Sequence, residues 1–353
     1  MSTPNTFREY RLPEVGIHNL TLREAATSPI NASEVLVKVH SVSLQSHSAR
    51  QYRDLLVSRG QYPLGQKDNV IPCSDMAGEI VAVGNDVKGW KIGDRVCSNF
   101  AVDHIFGDVT DEIKLTGLGG PIDGVLTEYK TFPAHSLVLI PEHLSYEEAS
   151  TLPCAALTAY NALSGPIPLK GGDYLLVQGT GGVSIFGLQL AIASGASVIV
   201  TSSSDEKLKI AKKLGAKHLI NYKKTPDWEK EVLKITNGRG VDHVIEVGGA
   251  ATIQKSIASV RYGGSVHVVG HIAPDGSVDL VHLPIALLIR TANLRGILIG
   301  SRTQFEDMNR LITANGIKPL VDKVFKFEEA REAYKYLESQ KHVGKVVIKV
   351  SKE

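Results

Sequence analysis

The chain is poor in cysteine and in net charge, and it has no long apolar run. Its 353 residues include three cysteines, Cys73, Cys97 and Cys154, odd in number and far apart. That excludes a disulfide framework and fits the reduced thiols of the cytosol. A net charge of +2 excludes a surface built to hold a phosphate backbone, and no basic–aromatic patch for single strands is present. No apolar stretch is long enough to cross a bilayer, and residues 1–20 lack a charged-then-apolar leader pattern. There is no repeat, long linker or low-complexity tract. With 43% hydrophobic residues, the chain can bury the cores of two domains. These absences lead us to expect a soluble, cytoplasmic protein with no nucleic-acid or membrane partner.

The most informative stretch runs from Tyr174 to Lys207. Tyr174–Gln178 is a short apolar run that predicts a strand. Gly179, Thr180, Gly181 and Gly182 then turn the chain into a mostly apolar helix over Val183–Ser194. A second strand is expected at 197–201. Glycines suit such a turn because a β-carbon would keep a pyrophosphate away from backbone N–H groups, and the helix start supplies oriented donors. The glycine fingerprint is imperfect: Ser184 stands where the third glycine should be, and Gly187 follows one turn later. Strand, helix and second strand in register still predict a dinucleotide cradle in which Gly179–Val183 approach the phosphates.

The end of the second strand bears on which dinucleotide. Enzymes that take NAD usually place an Asp or Glu about 20 residues beyond the glycines, against the ribose hydroxyls. Here Thr201, Ser202, Ser203 and Ser204 occupy that place, and small hydroxyls do not repel a 2′-phosphate. Lys207 lies one helical turn on, and Tyr222 and Lys223 follow the next expected strand. Ser202, Ser203, Lys207 and Tyr222 are the expected 2′-phosphate contacts, so the expected cofactor is NADPH. The serines also suit an N-cap for a helix over 205–214.

Around this unit the pattern changes twice. Residues 16–150 are β-rich, with strands expected at Val35–His40, Ala77–Val83, 94–96 and 137–140. From Ser145 a capping box with Glu148 opens a helix of small residues. Further strands are expected at 218–221, 242–246, 265–269 and 294–299, with helices near 227–236 and 251–260. Strand–helix alternation predicts a parallel, doubly wound sheet covered on both faces. A helix at 328–339 and a strand over 345–350 complete the chain.

Several segments then carry a resemblance: VIPCSDMAGEIVAVGNDVKGWKIGDRV at 70–96, ASTLPCAALTAYNAL at 149–163, the GTGGVS turn, and GGSVHVVG at 263–270. In that order they resemble the medium-chain dehydrogenase/reductase superfamily over almost the whole chain. The resemblance implies an α/β fold class: a GroES-like β-rich catalytic domain over 1–149, completed by 300–353, and a Rossmann cofactor domain over 150–299. It also implies a dimer joined through the cofactor domains, along 294–300. The loops at Val247–Gly249 and at Gly270, His271 and Ile272 would contact nicotinamide and ribose, and Lys345 would lie near the cofactor phosphates. His271 also reads as an ordinary loop residue.

Zinc-dependent relatives use an early Cys, the His of a G-H-E motif and a later Cys, leaving one position open for the substrate oxygen. The later Cys corresponds to Cys154. The G-H-E triplet is replaced by Cys73-Ser74-Asp75, and the early Cys position falls near Gln51. The four-cysteine structural lobe is missing, since only Cys97 lies there. Cys73, Cys154 and His47 could rebuild a site, but a free Cys is commonly a small buried hydrophobe. The expectation is no metal.

Without metal, catalysis rests on hydride placement and a proton source. Tyr52 is the candidate for hydrogen-bonding the substrate oxygen, with core packing as its alternative. Thr158 matches a family position whose hydroxyl lies against the nicotinamide, or it bonds back to its own helix. Asp54 orients neighbours or stabilises a helix start. Residues 46–50 and 97–122 are expected to shape the substrate pocket. The function expected is NADPH-dependent hydride transfer to a small conjugated carbonyl compound, a quinone or enone. A metal-free carbonyl reductase or alcohol dehydrogenase, and a non-catalytic NADPH-binding regulatory or structural protein, are the alternatives.

Overall fold

A computed structural model describes residues 4–45, 53–270 and 281–351. The chain divides into two compact units. One is built from the chain up to Leu157 and from Ile299 onward, the other from Thr158–Leu298.

The first unit is organised by the strand Glu34–Leu44, eleven residues of which eight are buried valine, leucine or serine. Its register with Asp75–Val83 is antiparallel and shifts twice, between Leu36 and Val37 and between Val39 and Ser41. Such bulges bend a strand and let one sheet wrap a core. Seven strands join this sheet, and the last strand, Lys345–Lys349, returns to pair antiparallel with Ser41–Leu44. Val35, Val37, Val39, Ile80, Val96 and Phe132 form the core, closed by Ala330, Ala333, Tyr334 and Leu337 of the helix Ala330–Glu338.

The second unit is a six-stranded, wholly parallel sheet. Its order is His218–Asn221, Ser197–Ser202, Tyr174–Gln178, Val241–Glu246, Val260–Val268, Asn293–Gly296. That is the doubly wound order 3-2-1-4-5-6, whose direction reverses between Tyr174–Gln178 and Val241–Glu246. The strands are apolar on both faces, as helices on both sides require, and Leu175, Leu176, Val177, Val244 and Ile245 are fully buried. The expected α/β fold, a Rossmann sheet with a GroES-like β-rich domain, is what the structure shows.

Several elements differ from expectation, among them the strands Thr6–Arg11, Thr21–Ala26 and Tyr129–Pro133 and the helix Leu283–Arg290, none of which was foreseen. The helix foreseen from Ser145 is interrupted. Tyr146–Ala149 is opened by the Ser145–Glu148 capping box, Leu152–Ala156 forms a π-helical turn, and an α-helix runs over Leu157–Leu163. Pro153, which has no N–H to give, sits at the start of that turn. The strand foreseen at 294–299 is shorter, Asn293–Gly296. The helix Arg302–Ala314 and the strand Val321–Lys326 were not foreseen.

Candidate functional site

In the second unit, the strand ends at the switch point carry the glycine turn. Gly179 has φ +72°, its N–H donates to Thr201 O at 2.7 Å, and an added β-carbon would meet nothing within 4 Å. The turn therefore adopts a backbone that favours glycine while leaving open space beside it. Gly181 is the N-cap of the helix Gly182–Ala193 and offers no side-chain hydrogen bond. The first N–H groups of that helix have no side-chain cap, the condition under which a helix start receives an anion. Thr180 and Val183 are buried beside it. Ser184, at the third-glycine position, donates to Gln178 O at 2.6 Å and so locks the turn. Gly187 performs the packing role of a third glycine: its β-carbon would lie 2.5 Å from Ile245 Cδ1 and 3.4 Å from Val177 Cγ1.

The bond from Gly179 to Thr201 places the serine run next to the turn. Ser202 pairs in register with Asn221, and Tyr222 N–H donates to Ser202 O at 3.1 Å. Ser202 and Tyr222 thus meet at two adjacent strand ends, Ser203 follows Ser202, and Lys207 lies in the first turn of the next helix, Asp205–Lys213; Tyr222 is 42% exposed. The cap of helix Asp205–Lys213 is Ser204, whose Oγ accepts from Lys207 N–H. The nearby acid, Asp205, is held by Asn221 Nδ2 at 2.7 Å and Lys224 Nζ at 2.5 Å.

Across the switch point, Val247 N–H donates to Gln178 Oε1 at 3.2 Å. Gly270 follows the strand Val260–Val268 and packs on Val247, where a β-carbon would lie 2.4 Å from Val247 O. His271 and Ile272 lie outside the described residues. The buried Glu246, which the sequence reading passed over, sits between these loops. An acid ending the apolar strand Val241–Glu246 just before two glycines was the available signal.

The first unit holds a buried polar cluster at the Cys73-Ser74-Asp75 segment. Cys73 has φ +67°, uncommon for a residue with a side chain, and its Sγ lies 3.3 Å from Tyr334 Oη. Asp75 Oδ1 accepts from Ser74 Oγ at 2.7 Å, while Oδ2 accepts from Gln45 Nε2 and from Cys154 N–H at 3.0 Å. The carboxylate therefore caps the π-turn that follows Thr151. Burial pushes Asp75 up to about 7, against the opposing pull of the Lys345 charge and the Ser74 hydroxyl.

Asp54 lies in the first turn of the helix Arg53–Ser58, without exposed surface. Its oxygens accept from Gln45 N–H at 2.7 Å and Arg53 Nη1 at 3.0 Å. Those bonds make it an ordering group for the chain around the helix start, not a group free to meet a reactant. Arg53 also donates to Leu118 O and lies between the rings of Tyr62 and Phe100, 5.0 and 5.3 Å from their centroids. Lys345 requires a correction. Its ammonium is buried and donates to Leu44 O at 2.6 Å, inside the sheet of the first unit, so it is not an exposed phosphate ligand. Burial lowers its pKa, opposed by the Asp75 charge. Thr158 is fully buried, and its hydroxyl has no partner among the described residues, so it does not bond back to its helix. Tyr52, with His47 and Gln51, lies outside the described residues.

Residues 31–142 match the family described as alcohol dehydrogenase GroES-like domain, and residues 182–314 match that described as zinc-binding dehydrogenase. A zinc-type alcohol dehydrogenase-like protein of Schizosaccharomyces pombe is 50% identical over 324 residues, covering 91% of this chain and 92% of its own. A solved putative alcohol dehydrogenase from Sinorhizobium meliloti is 37% identical, with TM-score 0.89 over 99% of this chain and 100% of its own. The chain belongs to the medium-chain dehydrogenase/reductase superfamily. An acryloyl-coenzyme A reductase of Metallosphaera sedula is 30% identical, covering 93% of this chain and 95% of its own. Medium-chain dehydrogenases and reductases are oxidoreductases that work with a nicotinamide dinucleotide, and the strand ends at the switch point are where a doubly wound sheet receives one.

Zinc-dependent members of the superfamily supply thiolate and imidazole ligands from the segments that here hold Cys73-Ser74-Asp75 and Cys154. Both Asp75 oxygens are engaged by protein donors, and the Cys73 thiol faces Tyr334. Among the described residues, no group of three His, Cys, Asp or Glu side chains is arranged to hold a metal ion. None of the described helices is long and apolar enough to cross a membrane.

Proposed function

We propose that this chain is a zinc-independent, NADPH-dependent reductase acting on conjugated carbonyl compounds, enones or quinones. The observation that carries the metal-free reading is the Cys73-Ser74-Asp75 segment, whose carboxylate is engaged by protein donors at both oxygens. Its carboxylate accepts from Ser74, Gln45 and the Cys154 N–H, three of its about four acceptor sites, and Ser74 offers a hydroxyl where zinc-dependent relatives offer an imidazole. The Arg53 guanidinium, buried in the same unit, and the buried Lys345 amine also weigh against a dication among the described donors.

Support for NADPH comes from Ser202, Ser203 and Tyr222 at adjacent strand ends and Lys207 in the helix that follows, with Asp205 tied to Asn221 and Lys224. Bound, the cofactor supplies hydride from C4 of its nicotinamide. The chain's task is to place that carbon against the electrophilic carbon of the substrate and to meet the oxygen. Hydride adds to the β-carbon of the enone, the π electrons move onto oxygen, and a proton from Tyr52 or water completes the saturated product. Thr158, whose hydroxyl is unpaired among the described residues, is the residue we assign to the nicotinamide side. Conjugation spreads charge that a metal would otherwise stabilise, and the name of the Metallosphaera relative specifies a conjugated acyl substrate. Relatives named alcohol dehydrogenase favour a second reading, metal-free reduction of a simple carbonyl.

Cys73, Cys97 and Cys154 are buried and in no disulfide, which suits a reducing cytoplasm. A second copy of the chain is the partner we propose, docked along Asn293–Gly296, the outer strand of the parallel sheet. Leu288, Ile289, Leu294 and Leu298 are exposed on that side of the second unit.

A screen of NADPH oxidation with quinones, enones, ketones and aldehydes, with product analysis and metal determination on the same sample, tests the proposal. C=C or quinone reduction by metal-free protein is expected. Stoichiometric zinc, or turnover confined to simple ketones, would overturn it.

A further inference from the structure

We infer that Glu246 and Gln178 are a positioning pair that presets the cofactor loops before the dinucleotide arrives; this rests on the cofactor reading above. Glu246 ends the strand Val241–Glu246 and is fully buried. Among the described residues no Lys, Arg or His pairs with it. An isolated carboxylate is costly to bury, so its charge must be met by hydrogen bonds. Oε1 accepts from Gly248 N–H at 2.6 Å, Gly249 N–H at 2.9 Å and Thr252 Oγ1 at 2.6 Å. Oε2 accepts from Gln178 Nε2 at 2.8 Å and from Ser256 Oγ.

Gln178 completes the link. It is the last residue of its strand, directly before Gly179, and its Oε1 accepts from the N–H groups of Val247 and Gly248 at 3.2 and 3.3 Å. Glu246 O accepts from Val269 N–H at 2.9 Å and Gly270 N–H at 3.2 Å. The strand ends that carry the glycine turn and the Val247–Gly249 loop are thus tied through one carboxylate and one amide, and Gly270 joins them through the Glu246 main-chain carbonyl. Gly248 is required for this closeness, since a β-carbon there would lie 2.2 Å from Thr252 Oγ1. Both side chains point back into the protein and orient backbone groups at the switch point, so they act through the loops. Loops fixed in advance lower the ordering cost that a ligand otherwise bears on binding.

Glu246→Gln separates this role from packing. An amide can still accept from Gly248, Gly249 and Thr252 with its oxygen, but its NH₂ then faces the Gln178 NH₂, donor against donor. NADPH affinity should fall about tenfold or more in a variant that still folds, with KM for NADPH rising and kcat at saturating NADPH within about twofold. The exchanged pair, Gln178→Glu with Glu246→Gln, restores one donor facing one acceptor. It should recover affinity to within about threefold of wild type.

Unchanged affinity in folded Glu246→Gln, or no recovery in the folded exchanged pair, would sink the inference. Should either variant fail to fold, hydrogen exchange on cofactor-free wild type decides. Val247, Gly248 and Gly249 amides should be protected by about a hundredfold or more, and rapid exchange there would refute the preset loop. Wild type that binds neither NADPH nor NADH removes the cofactor reading, and this inference with it. Wild-type binding with indifferent variants removes the inference alone.

Discussion

Asp75 Oδ2 accepts the backbone N–H of Cys154 at 3.0 Å, so a buried carboxylate caps the π-turn where the first unit ends. The helix start favours the charged form, yet burial outweighs it and lifts the carboxyl to about 7. The folded protein therefore keeps a proton that the unfolded chain releases near pH 4.

Stability follows from that difference. Between about pH 4 and about pH 7 the folded state binds more protons at this site than the unfolded state, so the site's contribution falls as pH rises. The limiting slope is about 1.4 kcal/mol per pH unit, and the loss saturates above about pH 7. Asp75→Asn should flatten this window, because Ser74 Oγ can turn to accept from the new amide while Gln45 and Cys154 keep donating to its oxygen. Urea unfolding of both proteins from pH 5 to pH 8 reads the difference; parallel curves would refute the assignment.

Asp242 runs the opposite way. It is buried on the strand Val241–Glu246, where it meets Arg239 Nη2 at 2.7 Å and Arg261 Nε at 2.6 Å and accepts from Tyr174 N–H. Those partners outweigh burial and hold it at about 2. Its stabilisation is complete above the unfolded value near 4 and disappears as pH falls through about 2, a contribution of about 2 kcal/mol. Asp242→Asn should cost at least that much at pH 7, with the gap to wild type closing toward pH 2. A gap independent of pH would show that packing, not charge, is lost.

The cofactor unit was readable because its strands are apolar runs bounded by glycine, and a parallel sheet buries both faces of each strand. Tyr174–Gln178 and His218–Asn221 fall where the pattern places them. The helix Arg302–Ala314 was equally readable and was overlooked: Ser301 and Gln304 form a capping box, and Phe305, Met308 and Ile312 share one buried face. The strand Val321–Lys326 buries only Phe325, so no alternation marks it. Lys345 was not readable at all. A lysine after a glycine near the C-terminus suggests surface, and only its neighbours in space, Leu44 and Asp75, reveal a buried ammonium. Gln45 and Arg53 were missed for the same reason, because their bonds to Asp75 and Leu118 join segments far apart in the chain.

Cofactor choice gives a direct measurement. Loss of one charged hydrogen bond to a phosphate costs about 1.5–3 kcal/mol, or about 10- to 100-fold in affinity. Lys207→Ala should weaken NADPH by that factor and leave NADH within about twofold. Its N–H caps on Ser204 through the backbone, which alanine retains, so the helix Asp205–Lys213 should stand. Equal losses for both nucleotides, measured by titration, would refute the 2′-phosphate contact.

Thr158 offers a prediction in which stability and turnover move apart. Its hydroxyl is fully buried and bonds to nothing among the described residues, a state that costs about 1–3 kcal/mol in the cofactor-free protein. Valine has nearly the same shape and no hydroxyl to strand. If Thr158 served only packing, Thr158→Val would stabilise the protein and leave its kinetics alone. If the hydroxyl is kept to orient the nicotinamide, the same change should raise the unfolding free energy by about 1 kcal/mol and lower kcat by about tenfold or more. The gain and the loss come from one atom, so both are required. A stabilised variant with wild-type kcat would remove Thr158 from the chemistry.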